Sequence, residues 1–132
     1  NVLGIAEAIR FSGRLDRDAM AQAYLDSDIT INPSLVDNMP NSILESLACG
    51  IPVVSTNVGG VPFIVNDGQT ALLVPPKSPD AMAEAILRLM DDAALSKELV
   101  ENGLAEVQKY TWQHVWPVLA NIYCQHARRL PA

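Results

Sequence analysis

The spacing of apolar residues along the chain alternates between the period of a strand and the period of a helix. Short β-branched or continuous apolar runs predict buried strands, and apolar residues three or four positions apart predict helices. Strands are predicted at 10–13, 28–34, 51–57 and 71–74. Helices are predicted at 16–27, 41–50, 78–92, 93–107 and 111–129, with a short helix after Gly60. The first part of the chain therefore alternates strands and helices, and the last third is helical.

Local signals support several of these boundaries. Asp16 is a good N-cap for the first helix, Ser78 followed by Pro79 is typical of a helix start, and Gly50 is typical of a helix end. Repeated strand–helix units with nearly continuous apolar strands favour a parallel sheet with helices on both faces. We therefore expect a single α/β domain over 1–132, with a helical C-terminal layer.

Composition and charge limit the function classes that fit this fold. The 132 residues are 49% hydrophobic, which is enough for a substantial core. The formal net charge is −6, so we expect no nucleic-acid partner. No apolar run reaches the roughly 18 residues of a membrane span, and the N-terminus lacks a signal pattern, which predicts a cytoplasmic chain. Cys49 and Cys124 stand far apart without a C-x-x-C pattern, so we expect two reduced, partly buried thiols rather than a metal site.

The stretch "DNMPNSILESLACGIPVVSTNVGG" places Asp37 and Glu45 on either side of a predicted helix start. In open parallel sheets, ligands bind beyond the carboxyl ends of the strands, where loops lead into helices. With Asn41 as the expected N-cap, the N–H groups of Asn41, Ser42 and Ile43 would be free to form an anion site that fits a diphosphate. Glu45 lies opposite the apolar stripe of this helix, so its side chain is expected to face the cleft.

The two acids admit two interpretations on spacing alone. Carboxylates accept hydrogen bonds from paired sugar hydroxyls, such as those that flank the phosphates of a nucleotide sugar. However, Glu45 could equally complement the helix dipole, and Asp37 could be a turn residue. The Gly59–Gly60 pair also admits two interpretations, because it suits either a phosphate-binding loop or a tight turn.

The same stretch resembles a known family. An acid, seven intervening residues and a Glu followed by a small residue, together with "LACGIPVVSTNVGG", are similar to the carboxylate motif of the retaining GT-B glycosyltransferases of family 4, also called group 1. The segments "RFSGRL", "AYLDSDITINPS", "GIPVVSTNVGGVPFIV" and "DGQTALLVPP" also occur in the family's order. The resemblance covers nearly the whole chain and implies a Rossmann-like domain that forms half of a GT-B fold.

This resemblance implies roles for particular residues. Glu45 would bind the ribose hydroxyls of a nucleotide, and Asp37 would contact the hydroxyls of the transferred sugar, so these two acids are the candidate catalytic positions. The turn near the nucleobase and the segment near the diphosphate supply the other substrate-binding candidates, which are Gly13, Arg14, Leu15, Asn38, Met39, Asn41, Ser42 and Ile43.

Two departures from the family pattern concern the same loop. Asp37 is one methylene shorter than the usual Glu. Asn38, Met39 and Pro40 replace the usual glycines, and Pro40 has no N–H to offer a phosphate.

The implied partner is a nucleotide-diphosphate sugar donor, without a metal or other cofactor. The family's basic pair and its acceptor-binding domain would precede Asn1, so we expect an N-terminally truncated chain that is inactive alone. Two alternatives are a non-catalytic nucleotide-binding or regulatory module and a nucleotide-sugar epimerase. The epimerase would need a further acid or histidine pair near the anomeric carbon.

An aromatic stripe marks the last predicted helix. Trp112, Trp116, Leu119 and Tyr123 recur at helical spacing, which predicts packing on the domain's own core. The resemblance implies instead that this helix crosses toward the missing N-terminal domain. Part of the stripe would then be exposed and could drive self-association.

Overall fold

The structure, a computed structural model, describes residues 3–127, and of residues 126 and 127 it describes the backbone alone. The helices of this part are α1 (Arg17–Leu25), α2 (Asn41–Ala48), α3 (Pro79–Asp91), α4 (Ala93–Val107) and α5 (Trp112–Ala127). The strands are β1 (Thr30–Asn32), β2 (Val53–Thr56) and β3 (Leu72–Val74), and short 3-10 turns occupy Ala6–Ala8, Val61–Phe63 and Gln108–Tyr110. None of the helices between residues 3 and 127 combines the length and apolarity needed to cross a bilayer.

The three strands form a parallel sheet in the order β1-β2-β3. Thr30 lies opposite Val53, and Val54 lies opposite Leu72. The central strand β2 is buried along its whole length, as its continuous apolar run predicts. The predicted parallel sheet is confirmed.

Helices cover both faces of this sheet. Because successive side chains of a strand point to opposite faces, Val53 and Val54 join different core clusters. Val53 packs in a cluster with Ile43 and Leu47 of α2, whereas the cluster of Val54 includes Leu89 of α3. Burying each such side chain contributes about 1.5–3 kcal/mol to stability. The predicted α/β architecture with flanking helices and a helical C-terminal layer is confirmed.

The predicted strand at 10–13 is wrong. This segment has an irregular, exposed backbone, and Phe11 is 93% exposed. A strand needs a hydrogen-bonded neighbour, and within residues 3–127 no strand pairs with it. The strand predicted at 28–34 is also shorter than expected, because Pro33 has no N–H to donate and follows β1 directly.

The aromatic stripe of α5 does not pack on the core as the spacing predicts. Trp112 is 65% exposed and Trp116 is 50% exposed, and their rings lie 5.2 Å apart, centroid to centroid. The main contacts of α5 are with the turn Gln108–Tyr110 rather than with the sheet.

Cys124 on this helix is exposed instead of partly buried, whereas Cys49 is half-buried as expected. Residues 128 and 129 of the predicted helix lie outside the described residues.

The loops that follow β1 and β2 are in direct backbone contact. The Gly60 N–H donates to the Asp37 carbonyl at 2.9 Å. A Cβ added at Gly59 would overlap the Asp37 carbonyl oxygen, and one added at Gly60 would overlap that of Asn38. The glycine pair is therefore accounted for by this close approach, which holds the loop that carries Asp37.

Replacing Gly60 by Ala is expected to destabilise the protein through this contact alone. Gly60 has φ −86, which suits Ala, so the added Cβ acts only by its overlap with Asn38. We expect the free energy of unfolding in urea to fall by about 3 kcal/mol, at the upper end for overpacking. Gly68→Ala is the matched control, since Gly68 has φ +69 but open space around it, and it should cost about 1 kcal/mol. Equal losses for the two variants would contradict the proposed contact.

Candidate functional site

The start of α2 differs by one residue from the prediction. Pro40, not Asn41, is the N-cap, with φ −68 and ψ 112, and Asn41 is the first helical residue. The Ile43 N–H donates to the Pro40 carbonyl at 3.1 Å and is therefore not free. The N–H groups of Asn41 and Ser42 have no acceptor among the described residues. The predicted anion site thus retains two of its three donors.

The side chain of Ile43 cannot contact a ligand. It is fully buried and belongs to the core cluster of α2. With its N–H also engaged, Ile43 is removed from the set of candidate binding residues. Its burial follows from the helical stripe that it shares with Leu47, which the sequence indicated correctly.

Glu45 lies on the exposed side of α2, opposite Ile43 and Leu47, as the helical period predicts. Its side chain lines a cavity of about 460 Å³ between α1 and α2. The other residues of this cavity come from α1, from the segment before it and from the end of α2, where Cys49 is the C-cap. They are Leu15, Asp16, Arg17, Met20, Ala21, Tyr24, Ala48 and Cys49. We call this space the α1–α2 cavity.

The structure brings Leu15 and Glu45 together on the wall of the α1–α2 cavity. These are the positions that the resemblance assigned to the nucleobase turn and to the ribose. Gly13 and Arg14 precede Leu15 in an exposed turn, in which Gly13 has φ +65, but they are not among the lining residues. Of the three residues predicted near the base, Leu15 is thus the one that shares a cavity with Glu45.

The carboxylate of Glu45 already has a protein partner. The Tyr24 hydroxyl of α1 donates a hydrogen bond to Glu45 Oε2 at 2.9 Å. The pKa of Tyr24 is raised to about 12. The largest cause is burial, and the hydrogen bond to Glu45 and the negative charge of Glu45 add to it. Tyr24 is therefore protonated at neutral pH and well above it, and acts as a donor to Glu45.

Asp37 is half-buried in the loop after β1 and does not line the α1–α2 cavity. Ser34 Oγ lies 3.4 Å from Asp37 Oδ2 but only 2.6 Å from Asn32 Oδ1, so Ser34 donates mainly to Asn32. The Asp37 carboxylate therefore retains capacity to accept hydrogen bonds from a ligand. The two acids therefore do not line the α1–α2 cavity together.

Asn38 and Met39 line a different and smaller cavity. This space of about 190 Å³ also contacts Gly60, Phe63 and Tyr110. Both residues are exposed, and Pro40 is buried. The structure therefore brings Asn38 and Met39 to the glycine loop rather than to Glu45.

Sequence reasoning missed Tyr24, Arg17 and Cys49 on the wall of the α1–α2 cavity. The helical spacing of Met20, Ala23 and Tyr24 indicates an apolar face of α1, which hides the polar end of Tyr24. A partly buried tyrosine hydroxyl normally has a hydrogen-bond partner, and this was the available signal. Arg17 occupies the first position of α1, where the helix dipole disfavours a cation. A cation at this unfavourable position was the sequence signal that could have drawn attention to Arg17.

Asn32 at the end of β1 was also missed. It is only 7% exposed, and its Nδ2 has no hydrogen-bond partner among the described residues. Leaving such a buried donor unpaired costs about 1–3 kcal/mol. Because Ser34 donates to its Oδ1, Asn32 supports the base of the Asp37 loop.

Known proteins are similar to this chain in sequence and in fold. A family model described as glycosyl transferases group 1 matches residues 1–92. D-inositol 3-phosphate glycosyltransferase from Acidothermus cellulolyticus is 36% identical over 121 residues, which cover 92% of this chain and 27% of that protein. This chain spans less than a third of the length of the curated relatives that it matches.

Solved structures share the fold. Sucrose-phosphate synthase from Thermosynechococcus elongatus superposes with a TM-score of 0.89 at 31% identity, covering 96% of this chain and 32% of that one. HepE from Anabaena, solved in complex with UDP, gives a TM-score of 0.86 at 23% identity over 94% of this chain and 34% of its own, which shows the common fold alone. With the family match covering well over half of the sequence, this chain belongs to the group 1 family of glycosyl transferases.

Proposed function

We propose that this chain is part of the nucleotide-sugar-binding half of a glycosyltransferase. In the intact enzyme, a sugar would pass from a nucleotide-diphosphate donor to an acceptor hydroxyl with retention at the anomeric carbon. The observation that carries the proposal is that Leu15 and Glu45 line one cavity between α1 and α2. A nucleoside in the α1–α2 cavity would have its base near Leu15 and its ribose near Glu45.

The start of α2 would hold the diphosphate. The unpaired N–H groups of Asn41 and Ser42, together with the helix dipole, favour an anion at this end. Arg17 adds a positive charge on the wall of the α1–α2 cavity. These groups would act mainly by stabilising the negative charge that develops on the leaving diphosphate.

The proposed reaction exchanges one bond at the anomeric carbon for another. The bond to the diphosphate oxygen breaks, and its electron pair stays on the diphosphate. The acceptor oxygen forms the new bond on the same face, and its proton passes to the departing diphosphate. Asp37 and Glu45 position the donor and are not nucleophiles, since a glycosidase-type pair must flank the scissile bond, whereas Glu45 is assigned to the ribose.

Asp37 would hold the transferred sugar. Its carbonyl is fixed by the Gly60 N–H, so the loop has a defined position, while its carboxylate retains acceptor capacity. Sugar hydroxyls are suitable donors to such a carboxylate. The acceptor would bind to another domain of the intact enzyme, because the matched relatives are more than three times as long as this chain.

Calorimetric titration of the chain with UDP, GDP and ADP tests the nucleotide site, and UDP heads the series because HepE was solved with UDP. We expect saturable binding of one nucleotide. Glu45→Ala should weaken that binding about tenfold to a hundredfold, because it removes hydrogen bonds between a charged acceptor and the ribose. Asp37→Ala should leave nucleotide affinity nearly unchanged and weaken only the additional binding of the sugar conjugate.

Glu98→Ala is the matched control for this titration, since Glu98 is an exposed acid on α4. It should bind nucleotide as the wild type does. Loss of binding in Glu98→Ala to the same extent as in Glu45→Ala would indicate a general charge effect and contradict the site. Wild-type binding that is insensitive to Glu45→Ala would contradict the assignment of the ribose.

A bound nucleotide is expected to protect Cys49 from alkylation. Cys49 is half-buried on the wall of the α1–α2 cavity, and Cys124 is exposed on α5. Mass spectrometry after a timed iodoacetamide reaction should show slower modification of Cys49 with saturating nucleotide and an unchanged rate at Cys124. If both thiols react at their original rates under saturation, the nucleotide binds elsewhere.

A further inference from the structure

Tyr24 links two helices across the α1–α2 cavity. It projects from α1, and its hydroxyl donates to Glu45 Oε2 of α2 at 2.9 Å. The two residues are 21 positions apart in the sequence, so this hydrogen bond depends on the fold. Tyr24 is half-buried and Glu45 is exposed, and both line the cavity.

The hydrogen bond leaves a defined part of the Glu45 carboxylate for a ligand. An ionised carboxylate is only an acceptor, with two oxygens that each accept more than one hydrogen bond. Tyr24 occupies one position on Oε2, and Oε1 has no donor among the described residues. The hydroxyl is protonated at neutral pH, and because the pKa of Tyr24 is raised to about 12, it stays a donor well into the alkaline range.

We propose that Tyr24 is a positioning residue that fixes the Glu45 carboxylate in the orientation that accepts hydrogen bonds from the ribose hydroxyls of a nucleotide. This inference rests on the proposed function, because it requires a ribose at Glu45. An exposed glutamate otherwise samples several rotamers, and ordering it on binding opposes affinity. The hydrogen bond from Tyr24 orders the side chain before the ligand arrives.

A purely structural role for Tyr24 makes a different prediction. If the hydroxyl served only to hold α1 against α2, its removal would disturb the whole cavity. Nucleotides with and without a 2′-hydroxyl would then lose affinity by the same factor. A positioning role acts through Glu45, so the loss should depend on the hydroxyls of the ribose and on the presence of the carboxylate.

The test is a set of calorimetric titrations with UDP, GDP and ADP and with their 2′-deoxy counterparts. Tyr24→Phe keeps the aromatic ring and removes only the hydroxyl. It is expected to weaken binding of the preferred ribonucleotide about fivefold to tenfold, the range for one hydrogen bond, and to weaken its 2′-deoxy form less than about twofold. In a Glu45→Ala background, Tyr24→Phe should cause no further loss. Tyr123→Phe is the matched control, since Tyr123 is exposed on α5.

Each other outcome overturns the proposal in a recognisable way. Unchanged binding in Tyr24→Phe, with weakened binding in Glu45→Ala, would remove the role of Tyr24 and leave the proposed function standing. Equal losses for ribose and deoxyribose forms, or a further loss in the Glu45→Ala background, would assign Tyr24 a structural role only. Absence of nucleotide binding in the wild type would refute the proposed function and this inference with it.

Discussion

The backbone contact between the loops after β1 and β2 fixes the loop that carries Asp37 and leads into α2. Gly59 and Gly60 allow the carbonyl oxygens of Asp37 and Asn38 to occupy space that any Cβ would fill. The hydrogen bond from the Gly60 N–H to the Asp37 carbonyl then fixes the two loops against each other. Since the loop after β1 leads directly into α2, this contact also determines where the free N–H groups of that helix lie. The position of Asp37 thus depends on a pair of glycines that contact its backbone.

Much of the fold follows from signals that are local in the sequence. The continuous apolar run of β2 requires cover on both faces, and Val53 and Val54 receive it from different core clusters. Gly50, with φ +70, ends α2 as its position indicated, because the Gly50 and Ile51 N–H groups bond back to carbonyls of the last turn. The helical period alone also predicted that Glu45 faces away from the core.

Features that depend on distant partners could not be predicted in the same way. The bond between Tyr24 and Glu45 joins two helices, and nothing in either helix specifies the other. The aromatic stripe of α5 gives the position of an apolar face but not what covers it, and Trp112 is exposed in the structure. The N-cap of α2 was misplaced because Pro40 satisfies the cap geometry through its fixed φ, without a side-chain hydrogen bond.

Two-dimensional amide NMR of the chain during titration with UDP, GDP and ADP tests most directly whether a nucleotide spans the α1–α2 cavity and the start of α2. The account predicts that the amide signals of Leu15, Asn41, Ser42 and Glu45 shift together and saturate at the same nucleotide concentration. Shifts confined to the start of α3 around Lys77, which lines a separate cavity of about 340 Å³, would contradict it.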